Sequence, residues 1–173
     1  MPDLRYPIGP YVRPASLDAG QRAAAATDIR EAPARLRAAL AGLDDLQLDT
    51  PYRPDGWTVR QVAHHVADSH LNAYIRMKLA LTEDVPTIKP YDESAWALLQ
   101  DAKLPVDVSL RLLDAVHERW LVLLDHLTET EWSRTFMHPE SGATRLDQLA
   151  ALYSWHGKHH TAHVTSLRER MGW

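Results

Sequence analysis

The sequence has no cysteine. That absence excludes disulfide bonds and every zinc site built on thiolates, so a metal here must be held by imidazoles and carboxylates. Long apolar runs are missing as well. Leu121 to Leu124 and Leu149 to Leu152 are each interrupted by charge within a turn or two, far short of the roughly 20 residues that cross a bilayer. There is no basic excess: 23 acidic against 19 basic residues give a formal charge of −4. Without a basic stripe to neutralise phosphates, nucleic acid is not an expected partner, and neither is a membrane. The N-terminal stretch MPDLRYPIGPYVRP has no continuous apolar segment of the kind a secretory signal needs. With Pro2, Pro7, Pro10 and Pro14 it reads as an extended arm on a cytoplasmic protein.

Several catalytic signatures are absent too. No Glu-x-x-His occurs, which sets aside a ferritin-like di-iron bundle. His117 and Glu118 are followed by Arg119, Trp120 and Leu121, so the zincin motif is missing. Neither a phosphate-binding glycine loop nor a Gly-x-Ser-x-Gly elbow is found, and nucleotide-dependent and serine-hydrolase mechanisms have no support.

What is present is an ordinary globular composition, 45% apolar and 24% charged, which can bury a real core. The length of 173 residues and the even composition lead us to expect one domain over residues 1–173. Alanine- and arginine-rich sequence from Leu17 to Leu40 predicts a first helix stopped at Gly42, with a kink or break at Pro33. Thr58 and Gln61 form a capping box, with Trp57 and Val62 placed as a hydrophobic staple. They start a second helix near Val59 that runs to about Leu81. The proline-punctuated loop from Glu83 to Pro105 holds a short extra helix, Glu93 to Leu99, and is long enough to cover a site. Leu110, Leu113, Trp120, Leu121, Leu124 and Leu127 mark a third long helix over Val108 to Leu127. Thr144 is the expected cap of a fourth, striped by Leu146, Leu149, Tyr153, Val164 and Leu167. With no strand pattern, the fold class is all-α: a four-helix bundle with an N-terminal arm.

Ten histidines are present, and their positions carry the functional argument. At about 100° per residue, His156 and His160 fall near the centre of the last helix's apolar stripe. Four residues apart, they project side by side and form a chelating pair. Two adjacent imidazoles in an apolar stripe need polar partners, and a shared cation provides one. On the second helix, His65 flanks the apolar face marked by Val62, Val66, Ala73 and Met77, while His64 points nearly away from it. A metal inside the bundle therefore recruits His65 to complete three ligands with His156 and His160. Each of these histidines also has a plainer reading as a hydrogen-bonded core residue. His159 and His163, with the same spacing but nearer the stripe's edge, are the competing pair. His117 reads as a satisfied core histidine or a partner to a ligand. His70 and His126 read as surface or packing residues, and His138 and Asp68 as solvated or locally hydrogen-bonded groups.

In these residues the sequence resembles the DinB superfamily, and within it the YfiT-like branch of metal-dependent hydrolases related to bacillithiol transferases. The resemblance runs through Tyr6-Pro7-Ile8-Gly9, PYRPDGWTVRQVAHHVADSH, YIRMKLALTED, KPYDESAW, LYSWHGKHHTAH and the terminal Arg170-Met171-Gly172-Trp173. It implies a four-helix bundle with one divalent metal per chain held by His65, His156 and His160. It also implies a homodimer and a choice of zinc or nickel, of which zinc is placed first.

Three protein ligands leave a coordination position open, as catalytic zinc sites do. The open position suits either an activated water for hydrolysis or a low-molecular-weight thiol, with bacillithiol the candidate, for S-transfer. Asp92 and Glu93 of KPYDESAW are the acids placed to reach over the site. A noncatalytic bundle in which the ion only fixes the fold is the alternative.

Overall fold

The computed structural model describes residues 3–173. Four long helices form a bundle: α1 (Ala19–Leu40), α3 (Val59–Thr82), α5 (Val106–His126) and α7 (Leu146–Met171). Single turns lie between them, α2 (Asp45–Leu48), α4 (Glu93–Trp96) and α6 (Glu129–Trp132), with a 3-10 turn at Gln100–Lys103. The main packing partners are α1 with α7 and α5, and α3 with α5 and α7. In that ring α1 and α3 stand on one diagonal and α5 and α7 on the other. Two of the three connections between long helices, those through α2 and through α6, therefore cross a diagonal.

The capping box that starts α3 is formed: Gln61 N donates to Thr58 Oγ1 at 3.1 Å, and Thr58 N donates to Gln61 Oε1 at 2.9 Å. Asp18 and Gln21 do the same for α1, at 2.8 and 3.0 Å. These reciprocal bonds satisfy amides that a helix start leaves without partners.

The four-helix, all-α fold class holds, while four finer expectations need correction. Helix α1 runs through Pro33 without a break. Proline removes the N–H that would bond the carbonyl of Ile29, but His117 Nδ1 from α5 lies 2.8 Å from that oxygen and takes the vacated place. Second, the chain is not purely helical. A hairpin of β1 (Thr135–His138) and β2 (Gly142–Arg145) pairs Phe136 with Thr144, and its other edge bonds residues 86–88 through Met137. Strands of four residues offer too few alternations for a period-two pattern to register. Third, Thr144 lies in β2 and does not cap α7. Arg145 takes the cap position, its N–H donating to Gln148 Oε1 at 3.1 Å. The loop helix is also shorter than expected, ending at Trp96, with the 3-10 turn following it.

The core divides into two apolar clusters. One gathers Ile29, Met77, Trp120, Phe136, Leu146 and Tyr153, and the other Leu36, Val62, Val66, Leu113, Val164 and Leu167. On α3 the clusters are separated at His70, and on α7 between Tyr153 and Val164, where His156 and His160 fall. A layer of histidines thus crosses the bundle between two apolar halves. The N-terminal arm lies along α7 at this level. Trp155 Nε1 donates to Gly9 O at 3.2 Å, and His163 Nε2 donates to Arg5 O at 3.1 Å.

Candidate metal centre

His65 reaches the site from the second turn of α3, and His156 and His160 from one face of α7. One nitrogen from each of the three rings lies within 4.8 Å of the others. His65 Nε2 and His156 Nε2 are 3.3 Å apart. The His156 and His160 rings meet edge to face with centroids 4.4 Å apart, as helical neighbours four residues apart can. Trp57, the staple residue before α3, packs on His65 with ring centroids 4.6 Å apart and closes one side.

His65 and His160 are only 5% and 8% exposed. Burial lowers the pKa of His65 to about 4, helped by His163 and His159, and pushes His156 and His160 well down too. The rings are therefore neutral near pH 7, the form that binds a metal. His160 Nδ1 is buried without a hydrogen-bond partner. A cluster of neutral imidazoles facing one another with an unpartnered nitrogen is a donor set short of an acceptor, and a divalent cation fits it.

A cavity of about 500 Å³ opens over the three rings, lined also by Tyr6, Arg53, Trp57, Glu93 and Trp155. A second, of about 240 Å³, shares His65 and Glu93 with it and is lined further by Asp68, Tyr91 and Trp96. Glu93 therefore stands between the two spaces. Partial desolvation raises the carboxyl of Glu93, an otherwise exposed residue, above the ordinary range, and burial raises Asp68 to about 6. The Tyr91 hydroxyl is buried without a partner, and burial pushes its phenol up.

Of the two acids expected over the site, Glu93 is there and Asp92 is not: Asp92 Oδ1 accepts from Ala95 N at 2.9 Å and caps α4. His64 faces away from the three rings but is buried, bonded to Ser109 Oγ at 2.7 Å and Leu104 O at 3.0 Å. The competing pair also carries a buried, unpartnered Nδ1 on each ring, but among the described residues no third histidine or carboxylate joins these two within ligand distance. His159 stacks on Trp155 at 4.1 Å between centroids, and His163 stacks on Tyr52 at 4.0 Å while donating to the arm. His126 is exposed, with Nδ1 donating to Val122 O at 2.7 Å. His138 Nδ1 accepts from Glu140 N at 3.2 Å in the hairpin turn.

Of the two readings of His70, surface or packing, packing holds: the ring is 0% exposed. Its Nε2 lies 3.2 Å from His156 Nδ1, and its Nδ1 lies 2.8 Å from His117 Nε2. The signal was available, since 70 lies four residues after Val66 and three before Ala73, on the same stripe. Asp68 and Tyr91 were missed, because only folding brings the loop that carries Tyr91 against Asp68 on α3.

A sequence profile of the DinB superfamily matches residues 28–164. The chain belongs to the DinB superfamily. Among its DinB relatives, a Bacillus mycoides protein named "Putative metal-dependent hydrolase" is 56% identical over 173 residues, which is 100% of both chains. A Bacillus cereus protein of the same name is 55% identical, again over 100% of both. Among solved structures, YfiT from Bacillus subtilis is described as a probable metal-dependent hydrolase with an unusual four-helix bundle topology. It superposes with a TM-score of 0.95 at 49% identity, covering 98% of each chain. The four-helix bundle protein TT2238 shares the fold, with a TM-score of 0.56 at 22% identity over 88% of this chain and 99% of its own.

Proposed function

We propose that the chain is a metal-dependent hydrolase of small molecules, with one divalent ion held by His65, His156 and His160. The observation that carries this reading is the 3.3 Å approach of His65 Nε2 to His156 Nε2 with His160 beside them. Two Zn–N bonds of about 2.0–2.1 Å at a tetrahedral angle separate their nitrogens by about 3.3 Å. The names of the relatives and of YfiT point the same way. Imidazole ligands suit zinc first and nickel second. Bound there, the ion supplies a Lewis acid at the floor of the cavity, for polarising a carbonyl and lowering the pKa of water.

The remaining roles belong to the protein. Trp57 and Trp155 supply apolar walls to the 500 Å³ cavity, whose size suits a small molecule. Glu93, with its raised carboxyl, accepts and returns a proton at the boundary of the two cavities. The unpartnered Tyr91 hydroxyl donates a hydrogen bond to the substrate. A homodimer is part of the proposal. The exposed apolar side chains Leu104 and Leu112 at the smaller cavity, with the exposed Leu98 and Leu99 of the neighbouring loop, support it.

The test compares metal-free and zinc-loaded protein on a panel of activated esters and amides, and with small thiols plus an electrophile. Hydrolysis that requires zinc, and that falls about a hundredfold or more in Glu93→Gln with zinc still bound, is the expected result. Turnover that appears only with a thiol such as bacillithiol assigns S-transfer instead. No turnover of either kind, with unfolding on zinc removal, assigns a noncatalytic bundle.

A further inference from the structure

We infer that His117 and His70 are positioning residues for His156, and that the carbonyl of Ile29, left free by Pro33, sets which nitrogen of His156 carries its proton. The inference rests on the proposed ligand role of His156 for its consequence, though not for its tautomer assignment.

In an α-helix the carbonyl of Ile29 is bonded by the N–H of residue 33. Pro33 has none. His117 Nδ1 lies 2.8 Å from that carbonyl oxygen. A carbonyl can only accept, so His117 is protonated at Nδ1. The ring is 1% exposed, and burial lowers its pKa to about 4, so near pH 7 it is neutral and its Nε2 holds a lone pair. His70 Nδ1 is 2.8 Å from that lone pair and must donate to it. A second proton, which would charge the ring, is equally disfavoured at His70, which is fully buried between Tyr153 and His117. Its Nε2 is therefore an acceptor. His156 Nδ1, 3.2 Å away, donates to it. The outcome is a His156 with a bare Nε2, and that is the nitrogen 3.3 Å from His65 Nε2.

Each of the four long helices contributes one member: Ile29, His70, His117 and His156. The chain cannot run backwards, because its far end is a carbonyl. Nothing nearer the site supplies this direction, since Ser69 Oγ, 3.4 Å from His156 Nε2, can donate or accept. Gly157 adds to the assembly. A Cβ there would stand 3.0 Å from the Ala32 Cβ and 3.7 Å from His70 Cε1, so glycine permits α1 and α7 to close at the level of the chain. A ligating histidine whose other nitrogen donates to a fixed acceptor is held in one tautomer and one orientation. Loss of such a partner typically lowers metal affinity about 10–100-fold.

Two measurements test the inference. Long-range proton–nitrogen NMR of the metal-free, ¹⁵N-histidine-labelled protein reads each tautomer. The expected pattern is a protonated Nδ1 and a bare Nε2 in His117, His70 and His156. A proton on Nε2 of His156 overturns it, whatever the metal does. Competition for zinc by a chromophoric chelator then compares wild type with His70→Phe. An affinity lowered about 10–100-fold, with one ion per chain retained, is expected. Wild-type affinity in a folded His70→Phe overturns the positioning role. If His70→Phe does not fold, the wild-type tautomers decide. A wild-type protein that shows the tautomers but takes up no metal overturns the proposed function and leaves the hydrogen-bonded chain standing.

Discussion

His117 Nδ1 on α5 lies 2.8 Å from the carbonyl oxygen of Ile29 on α1, the acceptor that Pro33 leaves without its helical partner. One contact thereby gives that carbonyl a partner and joins α1 to a line of rings that ends at the candidate metal centre. A local sequence defect in α1 and the candidate site on α3 and α7 are parts of one hydrogen-bonded structure.

The first prediction concerns that contact. His117→Ala removes a buried ring, leaves the Ile29 carbonyl unbonded and opens a cavity, and should destabilise the protein by about 2–4 kcal/mol. Pro33→Ala restores an N–H that can bond Ile29, so in the double variant it should recover about 1 kcal/mol of that loss. Urea unfolding of the two single variants and the double variant measures the coupling. Strictly additive effects would show that Pro33 and His117 do not share the carbonyl.

The adjacent histidines of α3 should separate cleanly. His64 bonds Ser109 and Leu104 and serves packing, so His64→Ala should cost about 1–3 kcal/mol in stability while zinc uptake stays at one ion per chain. His65→Ala should lose uptake with a smaller change in stability. Metal analysis beside thermal unfolding reads both, and loss of zinc from His64→Ala alone would reverse the assignment.

Asp68 gives a prediction with a pH sign. Its folded pKa is raised by burial to about 6 from an ordinary value of 3.8, with Asp101 adding to the rise. The fold therefore favours the protonated acid. Any contribution of this group to stability is present below about pH 4 and is lost as pH rises through 6. In the metal-free protein, Asp68→Asn should match wild type near pH 4 and exceed it above pH 7. Because the group is only half-buried and screened by solvent, the gain should be about 1 kcal/mol. A gain that shrinks as pH rises would contradict the burial of this carboxyl.

Much of this was legible in local patterns. The Thr58–Gln61 box located the start of α3, and the spacing of His156 and His160 placed both on the inner stripe of α7. His70 obeys the same arithmetic, lying between Val66 and Ala73, which favours packing over the surface, the two readings it had. What the pattern could not supply was contact across the bundle. Pro33 foretold a defect in α1, but the ring that mends it comes from α5, 84 positions further along the chain. Asp68 looked solvated because the segment that buries it, from Tyr91 to Asp101, meets it only in the folded protein. The hairpin escaped notice because its strands are too short to show a period.

The central claim is that His65, His156 and His160 hold one ion, and X-ray absorption at the zinc edge of protein loaded with one equivalent tests it most directly. The account predicts nitrogen and oxygen neighbours at about 2.0–2.1 Å with the scattering of three imidazoles. It also predicts loss of zinc from the His156→Ala, His160→Ala double variant. Zinc retained in that variant with its imidazole count unchanged, and lost on His159→Ala, would contradict the account and move the centre to the outer pair.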